Sequence, residues 1–583
     1  MEVFDILALL GGLAVFLYGM NVLSASLTKT SSGKLEQSLQ KLTSSRWRGI
    51  LLGLVTTAVI QSSSAVTVML VGLVNSGIMT LKQSIGVVLG SNIGTTVTAW
   101  VLSLTGIDSS NVFVNLLKPA SFSPVIAIIG VGIIMMSKNS RRRDVGTVMV
   151  GFAVLMFGME MMGDAMKPLA ESESFANFLI LFSNPIMGVL AGTIFTGIIQ
   201  SSSASVGILQ ALSLTGTVTY SSAIPIIMGM NIGTCITALI SSIGVNRNAR
   251  RVAVSHIGFK IIGTIAFLIL FYLLNSIIGF SFVYKMASPL SIAVFHTCFN
   301  VFTTLVLLPF LDKLEKLVTM VVRDKSGAKE KYVLLDRRLL LNPPFAVDHC
   351  KTVTNQMAEK VRESLYTVFG IMREYDSQKA RLIEGIEDEI DSFEDKLGTY
   401  LVEISSKSLT LADSRKVSML LQNIGDFERM ADHSLNILKS IQEMNEKKID
   451  FSEAAWKDID VVEKALTEII ELAINSFINE DLNSAHLVEP LEEVIDTLVF
   501  EMKSRHTLRV REGQCNLELG FIFADLATNF ERISDHCSNI AVCLIEVDKG
   551  SFDTHEYLKQ IKSATDSFFS EKFEMYKKKY TLP

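Results

Sequence analysis

Apolar positions in the first half of the chain run in blocks of about twenty residues, long enough for a helix to cross a bilayer. Such blocks at roughly 5–27, 81–105, 122–137, 145–166, 221–243, 252–275 and 288–310 predict seven membrane spans. Two further stretches, about 47–76 and 184–215, are apolar at both ends and polar in the middle, where Gln61-Ser62-Ser63-Ser64-Ala65 and Gln200-Ser201-Ser202-Ser203-Ala204 stand. Unpaired polar groups in hydrocarbon cost several kcal/mol each, so neither stretch is expected to cross. A re-entrant hairpin, entering and leaving on one side, accommodates both features. From about Pro343 onward the pattern changes to apolar residues at three- and four-residue steps, which predicts long amphipathic helices.

The two polar pentapeptides belong to an internal repeat. Gly90-Ser91-Asn92-Ile93-Gly94-Thr95-Thr96 is answered by Gly229-Met230-Asn231-Ile232-Gly233-Thr234-Cys235 at the same offset (200 − 61 = 139 and 231 − 92 = 139). Gly12, Ala14, Val15, Gly19 and Met20 likewise recur as Gly151, Ala153, Val154, Gly158 and Met159. Three expected spans separate the two repeat starts, and an odd number reverses topology, so the repeats are expected to be inverted with hairpin tips meeting near mid-membrane. Lys29, Lys34, Lys41, Arg46, Arg48, Arg141, Arg142, Arg143, Arg247, Arg250 and Arg251 all follow odd-numbered spans. By the positive-inside tendency these connectors are cytoplasmic, with the N-terminus outside, Glu171 and Glu173 in an outer connector, and the second half of the chain inside.

Composition agrees with a bilayer protein: 49% of the 583 residues are hydrophobic and 19% charged, and mean hydropathy is +0.39, too apolar for an ordinary soluble chain. A net charge of −6 points to no nucleic acid partner and no polybasic membrane anchor. Cys235, Cys298, Cys350, Cys515, Cys537 and Cys543 show no zinc-like or disulfide spacing and read as packing residues. The start, Met1 to Asp5, has no basic leader, and the apolar run to Leu27 suits a retained first span.

The polar set inside the spans is Gln61, Ser62, Ser63, Ser64, Asn92, Thr95, Thr96, Gln200, Ser201, Ser202, Ser203, Asn231 and Thr234. Hydroxyls and carboxamides can donate to an anion and accept from a hard cation. With no arginine among them, a multivalent anion needs co-bound cations and helix ends to offset its charge, a physical reason to expect sodium coupling. The segments at 90–96 and 229–235 are expected to interrupt their spans and to aim free amides and carbonyls at these ions. One serine triplet reads equally well as helix packing; two in phase with two Asn-Ile-Gly-Thr copies read as a shared site. Glu160, Asp164, His256, Lys260 and His296 are further intramembrane candidates. Glu160 is expected to pack near the outer face, and the histidines to hydrogen-bond between helices.

These paired motifs resemble the type II sodium/phosphate cotransporter family, in the bacterial form with a PhoU-like tail. His296-Thr297-Cys298-Phe299-Asn300 is similar to that family's His-x-x-Phe-Asn element. His256-Ile257-Gly258-Phe259-Lys260 resembles the same element with Lys260 where asparagine would be expected. The resemblance implies that the serine-rich segments of both halves contribute to phosphate and sodium sites, that the bilayer is the plasma (inner) membrane, and that the protein is a homodimer.

The tail is duplicated too. Glu428 to Ile437 matches Glu531 to Ile540 (531 − 428 = 103), and acidic helices at Glu387–Asp391 and Glu492–Asp496 precede the two copies. Two three-helix units are the simplest architecture. Glu387 with Asp391, Glu428 with Asp432, Glu492 with Asp496, and Glu531 with Asp535 each project from one helical face. Packed acidic faces call for a divalent cation or iron, although solvated surface charges paired with Arg429 or Arg532 would show the same pattern. This half resembles the PhoU family, which implies metal clusters and regulation rather than catalysis.

The expected fold is therefore all-α: a polytopic carrier with inverted repeats and two re-entrant hairpins, then a helical bundle. The expected division is a carrier at 1–312 (repeats about 5–137 and 145–310), a linker at 313–342 and a cytoplasmic domain at 343–583. The expected function is sodium-coupled import of inorganic phosphate by alternating access, and not an enzyme activity. The alternative is an anion receptor that signals to a cytoplasmic partner through the tail.

Overall fold

The computed structural model describes residues 3–31, 45–106, 119–170, 179–323, 334–407, 409–549 and 567–583. Lys34, Lys41, Glu171 and Glu173 lie outside them. The chain divides into two compact units, Met1–Phe345 and Ala346–Pro583.

In the first unit the helices are α1 (Val3–Ser31), α2 (Arg46–Ile60), α3 (Ser63–Asn75), α4 (Leu81–Gly94), α5 (Thr96–Ser103), α6 (Pro119–Met136) and α7 (Ser140–Ala170). Then come α8 (Pro185–Ile199), α9 (Ser202–Ser213), α10 (Tyr220–Gly233), α11 (Cys235–Ser241), α12 (Arg247–Ile278), α13 (Pro289–Leu307) and α14 (Leu311–Val321). Among the described residues six helical stretches are long and apolar enough to cross a membrane: Ile6–Thr28, Leu81–Gly106, Arg141–Pro168, Tyr220–Ser241, Arg247–Ile278 and Pro289–Val321. The seventh expected span, 122–137, is the shorter α6, which starts where the described chain resumes at Pro119.

Close glycine contacts expose the symmetry. A methyl group at Gly12 would lie 2.8 Å from the Met162 backbone nitrogen, and one at Gly151 the same distance from that of Leu23. Gly19 approaches Leu155, and Gly158 approaches Phe16, at 2.3 Å in the same sense. As the α1 partner rises in number the α7 partner falls, so the two helices are antiparallel. Moving each pair by the 139-residue offset turns Gly12/Met162 into Gly151/Leu23, and Gly19/Leu155 into Gly158/Phe16. Only a two-fold axis perpendicular to both helices relates antiparallel partners this way. The two halves of the unit are thus inverted copies.

The serine-rich segments are helical hairpins, as the same reasoning shows. A methyl group at Gly53 would meet the Val87 carbonyl at 2.0 Å, one at Gly90 the Ile50 carbonyl at 1.8 Å, and one at Gly94 the Leu54 carbonyl at 2.5 Å. Numbers rise together, so α2 and α4 run parallel and in register, and α3, which connects them in sequence, must run back antiparallel to both. Gly192 against Ile226, Gly229 against Val189 and Gly233 against Thr193 repeat the arrangement for α8 and α10. Gly94 lies against Leu54–Ala58 and Gly233 against Thr193–Gly197, so each tip stands about one turn beyond these glycines, and the first is level with Thr98, inside the Leu81–Gly106 stretch. The second arms cross over: α3 packs on α11 of the other half, and α9 packs on α5.

Residues 334–342, expected to be linker, belong to this unit. Asp336 is buried and accepts from Asn75 Nδ2 at 2.6 Å and from Arg338 at 3.0 Å. Arg338 donates to the carbonyls of Ser241 and Ile243 at 2.8 Å, and Leu339 is fully buried. Asn75 Oδ1 also accepts from the Asn246 amide at 2.8 Å. The segment therefore straps the end of α3, from the first half, to the α11–α12 connector, from the second.

The second unit contains α15 (Pro343–Phe369, which begins in the first unit), α16 (Ser377–Ser405), α17 (Leu411–Lys447), α18 (Glu453–Asn479), α19 (Leu482–Ala485), α20 (Val488–Arg511), α21 (Leu517–Lys549) and α22 (Ser567–Lys579). It has its own internal symmetry. His433 Nδ1 pairs with Asn529 Oδ1 at 2.8 Å and His536 Nδ1 with Asp426 Oδ1 at 2.9 Å, partners related by the 103-residue offset across α17 and α21.

Candidate transport site

The chain is broken at each hairpin tip, and a glutamine makes the break. Gln61 (φ 61°) and Gln200 (φ 58°) sit in the left-handed region as the C-caps of α2 and α8, which is unfavourable for a residue with a Cβ. The next serine restarts a helix: Ser62 Oγ accepts from the Ala65 amide and Ser201 Oγ from the Ala204 amide, both at 3.2 Å. Each tip therefore places a helix C-terminus, with carbonyls that attract a cation, beside a helix N-terminus, with amides that attract an anion.

The half-buried Gln61 donates to Ala58 O at 2.6 Å and accepts from Thr98 of α5 at 2.7 Å, whereas Gln200 is exposed. Ser63, Ser202 and Ser203 are buried, and Ser64 is half-buried. Thr95, Thr96 and Thr234 are buried with their hydroxyls turned back onto their own helices, to Ser91 O, Ile93 O and Met230 O.

The expected interruption at 90–96 and 229–235 takes the form of a one-residue break, with α4 ending at Gly94 and α5 starting at Thr96, and α10 ending at Gly233 and α11 starting at Cys235, but the backbone does not unwind there. Thr95 (φ −60°, ψ −27°) and Thr234 (φ −59°, ψ −24°) keep right-handed helical geometry, and their amides still reach Ser91 O at 3.1 Å and Met230 O at 3.3 Å. The glycines there serve close helix contact with α2 and α8, not unwinding, and the free helix ends lie at the glutamine tips instead.

Behind the tips lies a buried polar layer. Asn92 is fully buried, and neither carboxamide atom has a hydrogen-bond partner among the described residues. Its repeat mate Asn231 is engaged: Lys260 Nζ donates to Asn231 Oδ1 at 2.7 Å and to Asn300 Oδ1 at 3.1 Å. Asn231 Nδ2 and Asn300 Nδ2 each donate to the carbonyl four residues back, Ile227 and His296, at 2.9 Å, which turns both carboxamide oxygens toward the lysine. His256 and His296 are buried, but their ring nitrogens have no partners among the described residues, so the expected helix-to-helix hydrogen bonds are not formed. Glu160 is exposed, and Asp164 is exposed and ion-paired to Lys167 at 2.7 Å.

In the second unit, ligand oxygens of Glu387, Asp391 and Asp432 lie within 4.8 Å of one another, as do those of Glu492, Asp496 and Asp535. Glu428 and Glu531 are not in these groups: Glu531 accepts from Lys503 at 2.8 Å. Partial burial, then repulsion from neighbouring carboxylates, raises the pKa of Glu387, Asp391 and Glu428. Burial raises that of Asp535, opposed by Arg532. Mutually repelling oxygen donors at this spacing fit a hard divalent cation or iron.

A profile of the Na+/Pi-cotransporter family matches residues 15–164 and again 154–286, two copies separated by the same 139 positions that relate α1 to α7. The first unit of this chain belongs to the Na+/Pi-cotransporter family. It is an integral membrane member of that phosphate-transport family, and PhoU domains match residues 354–441 and 462–544. The chain resembles "Putative inorganic phosphate export protein YjbB" of Escherichia coli K12, 22% identical over 93% of this chain and 97% of that one. It is also similar to "Uncharacterized protein YqeW" of Bacillus subtilis, 28% identical over 53% of this chain and 96% of that one. A local match joins it to "Sodium-dependent phosphate transport protein 2A" of rat, 47% identical over 10% of this chain and 9% of that one.

Proposed function

We propose that this protein carries inorganic phosphate with sodium by alternating access, importing phosphate when the inward sodium gradient dominates, under regulation by its second unit. The observation that carries the reading is the inverted pair of hairpins whose tips each juxtapose a helix C-terminus and a helix N-terminus behind a Gln-Ser-Ser-Ser sequence. In a bilayer these hairpins are re-entrant from opposite sides, and their tips form one site at mid-depth. Gln61 and Gln200, Ser62–Ser64 and Ser201–Ser203 line it, with Asn92, Thr95, Thr96, Asn231 and Thr234 behind. The short local match to a relative named for sodium-dependent phosphate transport supports coupling, and the relative named for export supports phosphate as cargo.

Arg46, Arg247, Arg250, Arg251 and the strap lie at one end of the membrane unit. The positive-inside tendency makes that end cytoplasmic and the N-terminus external. The second unit then faces the cytoplasm, where its two carboxylate groups bind metal and meet a signalling partner, and the working assembly is a homodimer in the plasma membrane. The test is radiolabelled phosphate flux in proteoliposomes under an imposed sodium gradient. Flux that follows the gradient, reverses with it, and falls at least tenfold in Gln61→Ala and Gln200→Ala is expected; flux indifferent to sodium removes the coupling.

A further inference from the structure

The two asparagines related by the repeat are treated differently by their surroundings. Among the described residues the Asn92 carboxamide has no hydrogen-bond partner, whereas the Asn231 oxygen is met by the amine of Lys260, which also reaches Asn300. Lys260 is 4% exposed in the middle of α12, inside the apolar Arg247–Ile278 stretch. Its two hydrogen-bond partners are neutral, and no carboxylate among the described residues pairs with it. A buried cation with only dipoles around it is costly in hydrocarbon unless an anion joins it.

Two carboxamide oxygens turned toward one point, each fixed by its own amide nitrogen on a helix carbonyl, are also the donors a hard monovalent cation takes. The lysine nitrogen already occupies that point. A sodium ion on the same oxygens would overlap the ammonium and be repelled by it.

We infer that Lys260 is a tethered cation standing in for one co-transported sodium ion on the Asn231 side, leaving the Asn92 side for a mobile ion. This rests on the phosphate-carrier reading and deepens it. The lysine moves with its helix and stays in the protein, so it helps offset phosphate charge without being delivered across the membrane. The carrier then transports phosphate with one sodium ion fewer than a protein bearing asparagine at position 260 would.

The experiment compares wild type with Lys260→Asn in proteoliposomes, measuring labelled sodium and labelled phosphate flux together. The expected result is a sodium-to-phosphate ratio higher by one in Lys260→Asn, a steeper sodium dependence, and residual sodium-free phosphate exchange at least tenfold lower than in wild type. An unchanged ratio in two active proteins overturns the inference and leaves the carrier reading standing. Wild type that moves no phosphate overturns both. If Lys260→Asn does not transport, equilibrium binding of labelled sodium to the purified proteins in the presence of inorganic phosphate decides: one additional site per chain supports the inference, and an equal number overturns it.

Discussion

Gln61 holds two roles that a single substitution can separate. Its backbone turns the chain from α2 into α3 in a left-handed conformation, and its carboxamide faces Ala58 and Thr98. Glycine adopts that conformation without steric cost. Relief of the left-handed strain and loss of the two side-chain hydrogen bonds are of similar size, so Gln61→Gly should leave stability within about 1 kcal/mol of wild type, yet cut phosphate flux at least tenfold, read by unfolding in detergent beside flux in vesicles. Equal loss of both would make the glutamine a structural cap alone. The identities of these residues were legible in the sequence because a repeated polar pentapeptide stands out in an apolar run. The left-handed geometry was not, since no glycine marks it. Lys260 stood out as a departure from a resembling element, but its partners Asn231 and Asn300 come from helices distant in sequence, and only packing brings them together.

At the scale of elements, the glycines let helices touch and do not unwind the backbone. In α4 and α10 they meet carbonyls of α2 and α8, so Gly90→Ala and Gly229→Ala each force a methyl into backbone. Each should cost about 1–3 kcal/mol, seen as a lowered unfolding temperature, with the two effects similar because the contacts are symmetry mates. Glycine enrichment in a span signals either unwinding or close packing, and hydropathy cannot tell which. The same limit applies to the acidic helices of the second unit. Four-residue spacing placed Glu428 with Asp432 and Glu531 with Asp535, but interhelical packing selects Glu387, Asp391 and Asp432 in one group and Glu492, Asp496 and Asp535 in the other.

Carboxylates whose folded pKa is raised stabilise the fold below their unfolded pKa, and that contribution disappears as pH rises through the folded value. Without metal, lowering pH from neutral toward the carboxylate range should therefore stabilise the second unit. Asp391→Asn should do so at pH 7, by under about 1 kcal/mol because these groups are largely exposed. Added divalent cation should reverse the ranking, stabilising wild type more than the variant, as thermal unfolding with and without chelator would record.

For the whole molecule, the inverted halves were foreseeable from one offset and an odd number of spans, and the reciprocal α1–α7 contacts supply the axis. The boundary between units was less legible. Charge density changes near Lys313, but Leu311–Val321 is helical and residues 334–342 return to the membrane unit through Asp336, Arg338 and Leu339. Removing the Arg338 side chain strips Asp336 of a charged partner and two carbonyls of their donor. Arg338→Ala should cost about 2–3 kcal/mol, measured as reduced thermal stability of the full-length protein.

This strap bears on how the tail's influence on transport is to be dissected. A protein cut after Arg323 loses its second unit and also the fastener that joins its two inverted halves; one cut after Asn342 loses the second unit and keeps the fastener. Slower transport in the first alone would be damage to the carrier masquerading as lost regulation.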